Sequence, residues 1–354
     1  MYVVWPAVKE NHGGPVDCAE FCITDVQQAG IDLLQWSERR LPASCQLPLG
    51  HMNDGPTAVD QLMAEVALYK CCDSSFPGIM GGTHGAGGPK MLLENKVAVV
   101  YGGGGIIGSA VARAFASAGA RVFIAGRTRQ SLDAVAQEIS RTGAAAELAV
   151  VDALDEAAVE AHFASVVGAA GGVDISFNSV SHGDVHGSPL LTMPLEDFIR
   201  PVATATRTLF LTTRVAARHM TQRGSGVIMA ITATTARQSL PEVGGTGVAF
   251  DAIESQCRQW ASELGPLGVR VVWLLTTGIP EALQGGAADL QPAYGTGSPM
   301  TRDQLVKWMR GKTMLDRLTT LAEVGAAASW IASDAGRGMT AVGLNLTNGA
   351  VPTR

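Results

Sequence analysis

The sequence predicts an α/β fold: a doubly wound parallel sheet of about seven strands with helices on both faces, spanning residues 91–354. Three observations predict it. From residue 97 onward, short apolar runs alternate with segments of helical spacing. A glycine cluster separates the first apolar run from the first helical segment. The composition, with 42 glycines, 47% hydrophobic and only 16% charged residues, suits helices packed closely on a buried sheet.

The elements follow in order. Residues 97–101 are an apolar run too short for a helix, hence a buried strand. Residues 107–118 have helical spacing and stop at Gly119. A second strand covers 121–125, and a helix capped by Ser131 runs over 131–142 to Gly143. A third strand at 149–151 precedes a helix at about 156–167, and a fourth strand spans 173–178. A long helix covers about 194–222. The fifth strand, 226–232, a helix over 248–264 and the sixth strand, 269–275, come next. Residues 281–312 carry Gly285, Gly286, Tyr294, Met300 and Trp308 and read as a mobile, mostly apolar cover. A helix at 322–333 and a short strand at 343–346 close the chain.

Residues 1–90 differ in character. Pro and Gly interrupt them, helical spacing is confined to about 57–69, and a Gly-rich linker covers 78–89. They read as an extension or accessory segment, with Met91 opening the domain proper. Five of the six cysteines lie there, and their spacing fits no zinc pattern, so free thiols and no metal are expected. The net charge of −6 and the absence of any Lys/Arg cluster argue against a nucleic-acid partner. No apolar run reaches the ~20 residues of a membrane span. The first ten residues lack a basic segment followed by an apolar one, so a cytoplasmic location is expected.

The glycine cluster carries the first functional expectation. Gly102, Gly103, Gly104, Gly105 and Gly108, with Ile107 among them, lie between a strand and a helix. In that setting glycines let the backbone approach a pyrophosphate, and the helix start offers free N–H groups and a positive dipole end. The second strand ends in Ala125-Gly126-Arg127-Thr128. An acid at such a position accepts from a ribose 2′-hydroxyl, whereas Arg127 can pair with a 2′-phosphate. NADP(H) is therefore expected rather than NAD(H).

From Met91 to its end the chain resembles the short-chain dehydrogenase/reductase family, a Rossmann fold. That family's T-G-x-x-x-G-x-G loop corresponds to residues 101–108, with Tyr101 for the Thr and Gly105 one place before the middle Gly. The resemblance implies that Asp152 and Ala153 contact adenine. Asn178 and Val180 stand in the family's N-N-A-G segment. The backbone at Gly278 and Ile279 would hold the nicotinamide carboxamide. The helices at 194–222 and 248–264 correspond to those with which the family builds dimers and tetramers, so a homo-oligomer is expected.

The family's catalytic residues are missing. Counting back from residues 261–270, which match without gaps, places the Tyr on Thr246, the Lys on Phe250 and the Ser on Ala233. The helix Asn falls on Ala205. No shift repairs this, because no lysine lies between Lys96 and Lys307. The enoyl-reductase branch aligns at Pro241, but its Lys also falls on Phe250. Thr232, Thr234 and Thr246 are the candidate replacements, as hydroxyl donors that orient a substrate. His182 is a candidate acid, with a solvated surface position as its bland reading. Asp251 and Glu254 read as solvated helix residues. The chain is thus expected to be an NADP(H)-dependent oxidoreductase with an atypical site, reducing a small, apolar carbonyl, enoyl or imine compound. The alternative is a catalytically silent NADP(H)-binding subunit.

Overall fold

The computed structural model describes residues 91–283 and 300–352. Residues 1–90, with five of the cysteines, lie outside them, as do Gly285, Gly286 and Tyr294.

The described residues begin with β1 (Val97–Tyr101), α1 (Ile106–Ser117), β2 (Arg121–Gly126), α2 (Arg129–Ser140) and β3 (Ala146–Val150). Then come α3 (Glu156–Ala170), β4 (Ile175–Asn178), α4 (Leu195–Arg223), β5 (Gly226–Ala233) and α5 (Thr246–Leu264). β6 (Val269–Thr276), α6 (Arg302–Arg310), α7 (Leu321–Ala332) and β7 (Val342–Leu346) complete the order. The seven strands form one sheet in the order β3-β2-β1-β4-β5-β6-β7, with every pairing parallel. This is the doubly wound fold the sequence predicts.

The alternation of side chains along the strands explains the two layers of helices. In β1, Val99 and Tyr101 join one apolar cluster while Ala98 and Val100 join the other. β6 divides the same way, with Val271 and Trp273 on one side and Val272 and Leu274 on the other. α3, α4 and α5 cover the first face through Phe163, Leu209 and Ile253. α1, α2 and α7 cover the second through Phe115, Leu132 and Ile331. Each fully buried side chain of this size contributes about 1.5–3 kcal/mol. Cys257 lies in the first cluster as a free thiol, and burial pushes its pKa up to about 12.

Three boundaries correct the sequence reading. α2 begins before Ser131: Thr128 is the N-cap residue, and the Ser131 hydroxyl donates to the Thr128 carbonyl at 2.9 Å. β3 starts at Ala146, three residues early, because an edge strand lacks the continuous apolar run of a central one. The expected cover contains a helix, α6, fixed by a capping box in which Thr301 and Gln304 satisfy each other's backbone N–H groups.

The sheet order reverses between β1 and β4. In such folds ligands bind outside the carboxyl ends of the strands at this switch point. Among the described residues no helix is long and apolar enough to cross a membrane.

Candidate active site

Two hollows open at the carboxyl edge of the sheet. The first is a cleft of about 240 Å³ at the ends of β1, β2 and β3. Gly102, Gly104 and Gly105 form part of its wall, with Arg127, Asp152, Ala153 and Val180. Gly102 has φ +77°, and a side chain there would come within 2.5 Å of the Ser179 carbonyl. Gly108 packs α1 against the same turn, since a methyl group on it would collide with the Gly102 carbonyl. Gly105, the N-cap residue of α1, lies on this wall and supplies no side-chain cap, so the first-turn N–H groups of α1 have no side-chain partner. These features fit the phosphates of a dinucleotide.

The other residues expected at this site do not form its wall. Gly103 is buried beside Ile124, and its N–H donates to the Ala125 carbonyl at 3.0 Å. Ile107, Gly108, Asn178 and Ile279 do not line the cleft. The buried Asn178 donates from Nδ2 to Thr212 Oγ1 at 2.9 Å and accepts from the Val180 N–H at 3.2 Å, tying the exit of β4 to α4. Ile279 is buried in the second apolar cluster. Asp152 accepts from the Leu154 N–H at 3.0 Å, which shapes the turn after β3.

The second hollow, about 510 Å³, lies past the ends of β5 and β6. Thr234, Thr246 and Phe250 form one side, and Trp308, Met309 and Lys312 the other. Met309 rests on Gly278, where any side chain would strike its sulfur. Thr246 is the first residue of α5, and Phe250 follows one turn later. Thr234 and Thr246 are thus brought together. Thr232 is not: its buried hydroxyl donates to Glu254 Oε1 at 3.3 Å, inside the protein.

Two bland readings do not hold. Glu254 is only 1% exposed rather than solvated, and its carboxylate meets Arg237 at 2.6 Å. His182 is also buried, with its ring edge-on to Phe250 at 5.4 Å between centroids. Burial lowers the pKa of His182, and the nearby Asp184 opposes that shift.

The sequence reading missed His186. This residue lines the second hollow, and its Nε2 lies 2.9 Å from Thr246 Oγ1. Burial lowers the His186 pKa, again opposed by Asp184. A visible signal was the run His182-Gly-Asp-Val-His186, two imidazoles and a carboxylate directly after β4. The structure therefore joins an imidazole to the Thr246 hydroxyl in the wall of the second hollow.

Residues 105–350 match the family model described as enoyl-(acyl carrier protein) reductase. The chain is a short-chain dehydrogenase/reductase. An uncharacterized oxidoreductase of Mycobacterium tuberculosis (strain CDC 1551 / Oshkosh) is 34% identical to it over 259 residues, 73% of this chain and 92% of that protein. The structure of an NAD+-bound xylitol dehydrogenase superposes with a TM-score of 0.66 at 22% identity, over 73% of this chain and 99% of the other. That of a short-chain dehydrogenase from Burkholderia cenocepacia J2315 in complex with NADP gives 0.61 at 24%, over 73% and 99%. The two structures share the fold. As a member of this family the short-chain dehydrogenase/reductase is an NAD(P)-dependent oxidoreductase.

Proposed function

We propose that this enzyme uses NADP(H) to reduce a small, largely apolar carbonyl, enoyl or imine compound bound in the second hollow. The observation that carries the cofactor choice is Arg127 on the wall of the first cleft, at the end of β2, with no carboxylate in the place where one would bind a ribose 2′-hydroxyl. Its guanidinium suits a 2′-phosphate, which it can meet with charge-assisted hydrogen bonds. In this reading the loop Gly102–Gly105 and the start of α1 hold the pyrophosphate. Asp152 and Ala153 flank adenine, Asn178 and Val180 the adenosine ribose, and the backbone at Gly278 and Ile279 the carboxamide.

The active site is atypical. Thr246, Phe250, Ala233 and Ala205 stand where the family has Tyr, Lys, Ser and Asn. Phe250 adds an apolar wall to the hollow in place of an ammonium. The Thr246 and Thr234 hydroxyls orient the substrate's polar atom. Thr232 acts from behind them by anchoring Glu254. The enzyme further assembles with copies of itself through α4 and α5.

Titration of the purified protein with NADPH and NADH tests the cofactor choice. NADPH is expected to bind at least tenfold more tightly than NADH, and Arg127→Ala to remove that preference, a loss of about 1.5–3 kcal/mol for a charge-assisted pair. Equal binding of the two nucleotides before and after the substitution sinks the assignment of Arg127.

A further inference from the structure

We infer that His186 is the residue that carries the proton of this reaction, passing it through the Thr246 hydroxyl to the oxygen of a carbonyl or the nitrogen of an imine. The inference rests on the cofactor reading above. Three observations carry it.

The Nε2–Oγ1 separation of 2.9 Å is a hydrogen bond in either direction. Imidazolium Nε2–H donates to the hydroxyl oxygen, and neutral imidazole accepts from the hydroxyl hydrogen. Both residues line the same hollow, so the pair faces the space where a substrate sits. Thr246 is held rigidly, 3% exposed at the first turn of α5. A threonine hydroxyl alone is a poor acid near neutral pH. Coupled to an imidazolium it can release its proton as it receives another.

When bound, the reduced nicotinamide supplies a hydride to the substrate's electrophilic carbon. The C=O or C=N π electrons move to the heteroatom, which takes the hydroxyl proton of Thr246. The Thr246 oxygen takes the Nε2 proton of His186, and the imidazolium becomes neutral imidazole. One hydride and one proton are added in all, and solvent reprotonates His186.

Among the described residues, the charged and titratable groups near His186 lie on its own loop, on neighbouring segments and on α4, whose Arg200 packs against Gly183. Asp184 and His182 share its loop, and Lys312 lies across the hollow on the segment after α6. Glu242 belongs to the neighbouring segment whose carbonyl holds the Gly187 N–H. Asp184 favours the imidazolium, while burial disfavours it.

A proton carrier that serves hydride transfer would lie close enough to a bound nicotinamide to sense its charge. Oxidised nicotinamide is cationic and the reduced form neutral, so protonated His186 weakens NADP+ binding relative to NADPH. The 2′-phosphate is common to both and cancels in the ratio. The experiment measures the affinities of NADP+ and NADPH by calorimetry from roughly pH 5 to pH 8. The chains are the full-length protein, His186→Gln, His182→Gln and Thr246→Val. The NADP+/NADPH ratio of dissociation constants is expected to rise roughly tenfold toward acid, as for unit charges several ångströms apart in a protein. His186→Gln should flatten this rise, and a thermal-unfolding curve matching that of the unmodified chain reports its correct folding. His182→Gln should retain the rise, and Thr246→Val should move its midpoint. A flat ratio in the unmodified chain, a rise that survives His186→Gln or vanishes with His182→Gln, or an unmoved midpoint in Thr246→Val overturns the inference. Failure of both nucleotides to bind overturns the cofactor reading itself, and the two failures are thereby told apart.

Discussion

At the scale of single residues, buried titratable groups set much of the enzyme's response to pH. His162 on α3 is buried against Tyr101, ring edge to ring face, with Nδ1 3.4 Å from the phenol oxygen. Burial lowers its pKa to about 4 and raises that of Tyr101. An unfolded histidine titrates near 6.5, so the unfolded chain takes up the proton first as pH falls. The stability at stake is complete above about pH 6.5 and lost progressively down to about pH 4, by no more than about 3 kcal/mol. Urea unfolding at pH 7.5 and pH 5 should show this loss, and His162→Leu should remove most of it. Equal slopes in the two proteins would show that other groups govern the acid limb. Residues of this kind were legible in part. The stripe Ala249, Ile253, Cys257 and Ala261 is the buried face of α5, and Glu254 stands beside it, three positions before Cys257. Its burial could have been read from that spacing, but its partner could not, because Arg237 is 17 positions away on another segment. The same holds for His186, which meets Thr246 across 60 positions of chain.

At the scale of elements, the turn from β1 into α1 concentrates the tightest packing of the candidate cofactor site. Gly108→Ala would drive a methyl group into the Gly102 carbonyl. The expected result is NADPH affinity lowered at least tenfold, together with a loss of about 1–3 kcal/mol of stability, as for overpacking elsewhere. Calorimetric binding and thermal unfolding of the same sample check both. Unchanged affinity would mean that the turn yields at little cost. Most elements were legible because period-2 and period-3.6 patterns follow from which faces are buried. Those that were misjudged share a cause. β3 is an edge strand with a half-exposed pattern, and α6 is a short, polar helix with one buried residue, Leu305. Its Thr301–Gln304 capping box was the available sign, and the glycines just before it drew the reading toward a loop.

At the scale of the whole molecule, the strand order follows from the alternation of strands and helices together with right-handed crossovers. That rule places the switch point, and with it both hollows, at one edge of the sheet. Assembly is a separate matter, set by what the outer surface leaves uncovered. Phe210 on α4 is 43% exposed, stacks on Trp260 of α5 at 5.5 Å and lies under Arg214 at 5.2 Å. Val248, at the start of α5, is 48% exposed. Such a patch suits a self-complementary helix pair related by two-fold symmetry. Light scattering should give a mass that is a multiple of 36.7 kDa, and Phe210→Glu should reduce it to that value without loss of fold. A monomer in the unmodified protein would refute assembly through this face.

The contact between Gly278 and Met309 gives the second hollow an adjustable wall. The glycine leaves a gap on the sheet side, and a long, unbranched thioether on α6 fills it. If the second hollow takes the substrate as proposed, the size of compound admitted depends in part on one flexible side chain that belongs to neither the sheet nor the dinucleotide cleft. Trimming it would widen the chamber while leaving the machinery beneath in place, so chains of this design can change what they accept without rebuilding how they react.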